Sequence, residues 1–406
     1  MVNISLIMGD AGTGKSYELA KRIYEVFGKN KTFVVLAFTH SAVNTIYNTF
    51  YKLYHVDIRS KFMTIHKYFR INVNTNKIQH NKFDPLEYMF IDEYSLISVN
   101  LMKNIFGAIK ASVNNLVLCG DYKQLHSVDV GEIVNYEDLL NYAKILDNKY
   151  GFDKDVINAI QHFDNSILSL KEIRDNLQEK VILTHQKRSN DEITELVNKY
   201  VFNDESIDED IFISRSSFPG LINNNGYIFI ASKYSILQKI HDCITNYETK
   251  NMYTITQPIG LKHMKLYEGQ HITITTNVND LNNGDEYIFE EYNIKNEYIL
   301  LKDVNSNEYK YLYKIDYVDD ENIEPVRYFP IIPAYLSTFH KSQGKTYENV
   351  IICVDDLFDF TMLYTGITRA KNDVLFYTDI DYIPMYTNKS YQVLQELVDN
   401  ILTTSA

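Results

Sequence analysis

Eight residues near the start of the chain, Gly9-Asp-Ala-Gly-Thr-Gly-Lys-Ser16, fill every fixed position of the spacing G-x-x-x-x-G-K-[S/T]. Glycines in such a loop let backbone N–H groups wrap around phosphate oxygens, the lysine adds a point charge, and the following hydroxyl can ligate magnesium. Gly9, Ala11, Gly12, Thr13, Gly14, Lys15 and Ser16 are therefore the candidate nucleotide-binding residues, with Ser16 also a candidate metal ligand. The required context is present, since an apolar run from Val2 to Met8 precedes the loop and a helix-like segment from Tyr17 to Phe27 follows it. Further on, Phe90-Ile-Asp-Glu-Tyr-Ser95 puts two carboxylates just past another apolar run. Alone, an Asp-Glu pair in a loop is an ordinary solvated pair. In a chain that also carries a phosphate cradle, Asp92 suits magnesium, held directly or through water, and Glu93 suits orientation and deprotonation of an attacking water. A third run ends in Gly120-Asp-Tyr-Lys-Gln-Leu-His-Ser-Val128, where Gln124 is placed to sense a γ-phosphate by hydrogen bonding.

These groups need strands to carry them. Strand-like runs at Phe33 to Phe38, Tyr88 to Ile91 and Leu116 to Cys119 alternate with amphipathic segments, the pattern of a parallel sheet with crossover helices. Ligands of such sheets bind at the carboxyl ends of the strands, where the carboxylates and Gln124 fall. With 406 residues, 45% hydrophobic and 23% charged, the chain can bury two or three cores, so a multidomain protein is expected. No apolar run approaches a membrane span, and the sequence opens on the first strand without a basic, apolar-cored leader, so an intracellular, soluble protein with no membrane partner is expected. Cys119, Cys243 and Cys353 are unclustered and read as buried thiols, with neither zinc spacing nor a disulfide framework. The net charge of -13 works against a polyanionic partner, so any nucleic-acid path must be a local basic groove. Acid clusters at Asp204-Glu205, Asp208-Glu209-Asp210 and Asp319-Asp320-Glu321 are expected in solvated loops away from it.

Eight stretches in order resemble the helicase motifs of superfamily 1. They are Gly9 to Ser16, Phe38-Thr-His-Ser-Ala-Val-Asn44, Thr64-Ile-His66, Asp92-Glu-Tyr-Ser95, Gly120-Asp-Tyr-Lys-Gln-Leu125, Lys187-Arg-Ser-Asn190, Ser337-Thr-Phe-His-Lys-Ser-Gln-Gly344 and Leu363-Tyr-Thr-Gly-Ile-Thr-Arg369. The likeness is nearest to the RecD/Dda group, which moves 5′-to-3′ on single-stranded DNA, and it spans nearly the whole chain. It implies an α/β fold of two RecA-like P-loop domains with parallel sheets, ATP and Mg2+ between them, and single-stranded DNA across their tops. The first domain would occupy 1–185, the second 186–250 and 330–406, with an inserted small β-barrel over 251–329. Arg188 and Arg369 resemble the family's arginines that contact the γ-phosphate, and Gly344 joins the nucleotide-binding set. Planar, permanently charged guanidinium groups suit the charge spread over a transferring phosphoryl. Thr39, His40, Thr64, His66, Thr338, His340 and Lys341 fall in motifs that grip DNA, and their donors suit phosphate oxygens, which fix position without reading sequence. Phe38, Phe69 and Phe339 could stack bases, although their abundance as a type favours the core.

Ile71-Asn-Val-Asn-Thr-Asn-Lys-Ile-Gln-His-Asn-Lys-Phe83 alternates about an Asn-rich centre, which predicts a β-hairpin insertion at about 67–84 with its turn near Asn74 to Asn76. In related helicases the corresponding hairpin is a pin that splits the duplex at a fork. Alternation with turn signals between Glu268 and Tyr313 predicts the barrel. Two departures from the family stand out. A stretch of about 135–180 reads as largely helical and longer than expected. The usual glutamine that reads adenine would precede the P-loop, and the sequence opens too close to the loop to hold it, so relaxed base selectivity is expected. Expected partners are single-stranded DNA, fork or tailed duplexes, and replication or recombination proteins, in DNA replication, repair or recombination. Two competing readings are an RNA-directed helicase of viral type and a P-loop switch that closes on a protein partner; opposite polarity is a third.

Overall fold

The computed structural model describes residues 2–72, 77–79, 83–125, 154–185, 191–203, 205–248, 250–257, 260–317, 325–355, 360–379 and 389–403. By its contacts the chain divides into two units: residues 1–206, 359–368 and 385–406, and residues 207–358 and 369–384.

The first unit is built on β1 (Asn3–Gly9), β2 (Phe33–Ala37), β3 (Phe62–Thr64), β6 (Leu86–Asp92), β7 (Val113–Gly120) and β8 (Leu177–Leu183), all parallel, in the order β3-β2-β6-β7-β1-β8. All five residues of β2 are buried, as a strand covered on both faces requires. Helices α1 (Lys15–Gly28) and α2 (His40–Tyr54) bury Leu19, Ala20, Ile23 and Val26, and Ala42, Val43, Ile46 and Phe50, at helical spacing. These side chains close one core with Ile7, Val35, Phe90 and Val117 of the strands. The expected hairpin is present as β4 (Ile71–Asn72) paired antiparallel with β5 (Lys77–Ile78), whereas its turn lies outside the described residues.

Of the stretch 135–180 expected to be helical, residues 135–153 lie outside the described residues, and the expectation needs correction at its end. Lys154–Asp164 and Lys171–Asn176 are helices, but Leu177–Leu183 is a strand that pairs with β1. It sits at the sheet edge, where charged residues are tolerated, and Arg22 holds its Glu179 through two bonds of 2.7 Å. A second difference is in the C-terminal region, where the sequence reading gives all of 330–406 to one domain. Instead, the helices Phe360–Ile367 and Lys389–Thr403 group with the first unit. Lys389–Thr403 packs on Lys154–Asp164, with Val393, Leu394, Leu397 and Val398 buried on one helix and Val156, Ala159, Ile160 and Phe163 on the other.

The second unit holds a four-stranded parallel sheet, Leu336–Thr338, Tyr227–Ala231, Tyr347–Cys353 and Ala370–Tyr377 in spatial order. Between its first and second strands in sequence comes an antiparallel sheet, ordered Tyr309–Tyr313, Tyr298–Asp303, Glu286–Asn293, Gln270–Ile274 and Ile331–Pro333, with two short hairpins beside it. Among the described residues its pairings run open from edge to edge, without the ring closure that the word barrel implies. Phe229, Leu237, Ile272, Phe289, Leu301 and Ile351 belong to one apolar cluster spanning both sheets. Cys119 and Cys353 are buried as expected, while Cys243 is only half-buried. No helix of the described residues is long and apolar enough to cross a membrane.

Candidate active site and nucleic-acid interface

The loop after β1 turns through two left-handed glycines, Gly12 (φ 85°) and Gly14 (φ 91°), a region that disfavours side chains. A Cβ on Gly9 would stand 2.6 Å from Thr13 Oγ1 and 2.7 Å from the Leu183 carbonyl oxygen, so β8 closes one wall of the loop. The Lys15 ammonium donates to the carbonyls of Gly9 (2.8 Å) and Asp10 (2.9 Å) and lies 3.9 Å from the Asp121 carboxylate. Its charge is thus anchored where the loop would receive a phosphate.

Asp92 ends β6, next to β7 in the sheet, and is buried. Burial, then the adjacent Glu93, pushes its carboxyl above the usual range, while bonds from the Cys119 thiol and the Glu93 N–H and the charge of Lys15 act the other way. Glu93 adopts left-handed backbone (φ 55°), and its buried Oε2 has no hydrogen-bond partner. Gln124 is buried, donates from Nε2 to Asp121 at 3.3 Å, and leaves Oε1 without a partner. Polar atoms buried without partners are costly, and their gathering at the ends of β6 and β7 marks a place built for a polar ligand. Lys15, Asp92, Glu93 and Gln124 are therefore brought together by one unit.

Gly120 shows how tightly this floor is packed. A Cβ there would stand 2.6 Å from Cδ1 of the fully buried Tyr94 ring. Gly120→Ala is expected to destabilise the chain by about 1–3 kcal/mol through overpacking, read from denaturant midpoints. An unchanged midpoint would show that Tyr94 yields without cost.

Arg369 and Gly344 belong to the second unit. Arg369 is buried and donates from Nη1 to the Lys345 carbonyl at 3.2 Å, and Gly344 takes a left-handed turn (φ 72°) just before that lysine. Arg188 lies outside the described residues. Three further residues at the loop escaped the sequence reading: Asp121, Lys123 and Tyr364. Lys123 bonds Asp10 at 2.5 Å, and Tyr364 bonds both Ala11 and Asp121. The available signal was their position inside two of the quoted motifs.

The nucleic-acid candidates share a structural device. Thr39 lies two residues past β2, and Thr64 and Thr338 are the last residues of their parallel strands; each caps the next helix, their hydroxyl oxygens accepting from Ala42 (3.1 Å), Lys67 (3.2 Å) and Lys341 (3.3 Å). Such a cap is worth about 1 kcal/mol and leaves the O–H free to donate elsewhere. Thr64 is in register with Ala37, two residues before Thr39, so both threonines stand at the carboxyl ends of adjacent strands of the first sheet. His66 packs edge-on against Phe38 at 5.0 Å, and burial lowers its pKa, which favours the neutral ring. His40 and His340 are half-buried and Lys341 is exposed. Arg59, Lys61, Lys67 and Arg70, all within six residues of Thr64 in sequence, are exposed, a local run of basic residues in an acidic chain that the sequence reading did not single out. Phe69 and Phe339 are fully buried, which settles both as core.

Comparison with known proteins adds to this geometry. Residues 1–130 match the family described as an AAA domain, and residues 333–377 match the UvrD-like helicase C-terminal domain. An ATP-dependent DNA helicase Pif1 of Campylobacter jejuni is 23% identical over 410 residues, covering 90% of this chain and 86% of the relative. An uncharacterized protein of Methanocaldococcus jannaschii is 23% identical over 482 residues; the match covers 99% of this chain but 37% of that longer protein. Among solved structures, one of two coordinating Pif1 helicases unwinding forked double-stranded DNA superposes with a TM-score of 0.62 at 19% identity, covering 99% of this chain and 94% of that one. The fold is therefore the two-domain RecA-like one.

Proposed function

We infer that this chain, whose matches and fold support a superfamily 1 helicase of the RecD/Pif1-like kind, is an ATP-dependent DNA helicase that translocates on single-stranded DNA, 5′-to-3′. One observation carries the reading. Lys15, Asp92, Glu93 and Gln124 stand at the carboxyl ends of β1, β6 and β7, while Thr39 and Thr64 stand at the same edge on the neighbouring β2 and β3. Adjacent strands lie about 4.8 Å apart, so a nucleotide site and a strand-gripping site share one rigid edge.

The chain's own residues divide the work. Backbone N–H groups of the loop and Lys15 hold the phosphates, Glu93 takes a proton from the attacking water, and Gln124 contacts the γ-phosphate. Arg369 supplies guanidinium charge to the transferring phosphoryl during turnover. The Ser16 hydroxyl and Asp92 carboxylate are hard oxygen donors that fit Mg2+, which usually takes one or two protein ligands and fills its shell from phosphates and water. When bound, the ion would neutralise charge on the phosphates. Thr39, Thr64 and Thr338, with His40, His66, His340 and Lys341, grip the sugar-phosphate backbone, and the exposed Lys67 and Arg70 that follow Thr64 supply local attraction that the net charge of -13 denies. The β4–β5 hairpin is read as the pin.

Hydrolysis measured with and without oligo-dT, then strand separation on duplexes with a 5′ or a 3′ single-stranded tail, tests the reading. Strong stimulation and unwinding from the 5′ tail alone are expected. Stimulation by poly-U in place of poly-dT would favour an RNA substrate, and turnover indifferent to both would favour a protein-directed switch.

A further inference from the structure

Tyr364 is 1% exposed, and its hydroxyl is engaged with the phosphate loop. That oxygen accepts the Ala11 backbone N–H at 3.0 Å and donates to the Asp121 carboxylate at 2.7 Å. Asp121 in turn faces the Lys15 ammonium at 3.9 Å and receives Gln124 Nε2 at 3.3 Å. The Tyr364 ring is seated by packing, 6.2 Å from the Phe202 ring, which stacks on Tyr391 at 4.3 Å. With Lys123 on Asp10, two successive residues of the loop are tied to side chains outside it.

A P-loop amide exists to meet a phosphate oxygen. A buried tyrosine oxygen that accepts the Ala11 N–H therefore does what a phosphate oxygen would do, and the two compete for that donor. We propose that Tyr364 is a positioning residue that stands in for a phosphate oxygen on the loop and leaves Ala11 when nucleotide binds, so that the helix Phe360–Ile367 responds to occupancy of the loop. The proposal rests on the nucleotide-site reading above. On binding, the phosphate takes the Ala11 N–H and draws Lys15 from the carbonyls of Gly9 and Asp10, and the Tyr364 O–H keeps Asp121 alone. The responding helix leads, two residues later in sequence, to Arg369.

Tyr364→Phe keeps the ring and removes the hydroxyl. Calorimetric titration of the full chain with ADP and with AMPPNP is expected to show binding about fivefold tighter than wild type, equivalent to one net hydrogen bond of about 1 kcal/mol no longer surrendered. A hydroxyl with a purely structural role would leave affinity unchanged or weaken it, and either result overturns the proposal. Hydrogen exchange on the unaltered chain is a second measurement that does not depend on the variant folding. Added ADP should speed exchange in the peptide spanning 360–368 while the peptide spanning 9–15 stays slow, and unchanged or slower exchange in 360–368 counts against displacement. Failure of the unaltered chain to bind either nucleotide removes the nucleotide-site reading and this proposal with it, whereas binding with an unchanged Tyr364→Phe affinity removes this proposal alone.

Discussion

Replacing Glu93 by Gln is expected to lower kcat by about 10² to 10⁴, the usual worth of a positioned general base, while ATP affinity stays close to wild type. The amide preserves size and keeps the left-handed backbone that the position demands (φ 55°), so the loop past β6 should hold its shape. What it removes is a carboxylate whose Oε2 is buried and otherwise without a hydrogen-bond partner. Asp92 immediately before it is retained, and with it the candidate magnesium ligand. Loss of turnover with retained binding therefore separates the base from the ligand. Single-turnover hydrolysis and calorimetric ATP binding on the same preparation measure both quantities. Robust turnover by Glu93→Gln would remove Glu93 as the base and leave the water to be activated by another group.

The parts of this site that were legible in the sequence are those whose physics is local. A P-loop needs left-handed glycines, and Gly12 and Gly14 supply them; buried parallel strands need apolar runs, and all of β2 and the stretches Leu6–Met8, Tyr88–Ile91 and Leu116–Cys119 of β1, β6 and β7 show them. What escaped is what long-range packing decides. Leu177–Leu183 carries Glu179 and Lys180 and follows a helix without a strong break, so its sequence reads as more helix; only a sheet edge beside β1 makes it a strand. β3 spans three residues, too short for alternation to register. The docking of Phe360–Ile367 into the first unit rests on bonds such as Leu125 N–H to Thr365 Oγ1, between residues 240 apart in sequence. Thr39, Thr64 and Thr338 illustrate a third case. Their motif positions were readable, but their common role as helix caps at strand ends emerged only from the coordinates.

Arg369→Ala is expected to reduce kcat by about 10³ to 10⁵, the range for a guanidinium that meets a transferring phosphoryl, with a far smaller change in ATP affinity. The asymmetry follows from when the charge matters. A group that stabilises charge developing in the transition state lowers kcat when removed, whereas one that binds ground state and transition state equally raises KM. The surroundings of Arg369 suit the first role. It directly precedes the strand Ala370–Tyr377, its carbonyl accepts the Tyr347 N–H at 2.8 Å, and its buried side chain reaches the Lys345 carbonyl. The guanidinium therefore starts from a rigid element, which limits the reorganisation needed during reaction. Arg369→Lys provides the companion variant, since an ammonium keeps the charge but loses the planar fork. If bidentate geometry matters, lysine should rescue little of the turnover while thermal unfolding stays near wild type. Equal damage to kcat and to affinity in Arg369→Ala would instead assign the residue to nucleotide binding, and turnover near the wild-type rate would leave the hydrolytic site to the residues of the first unit.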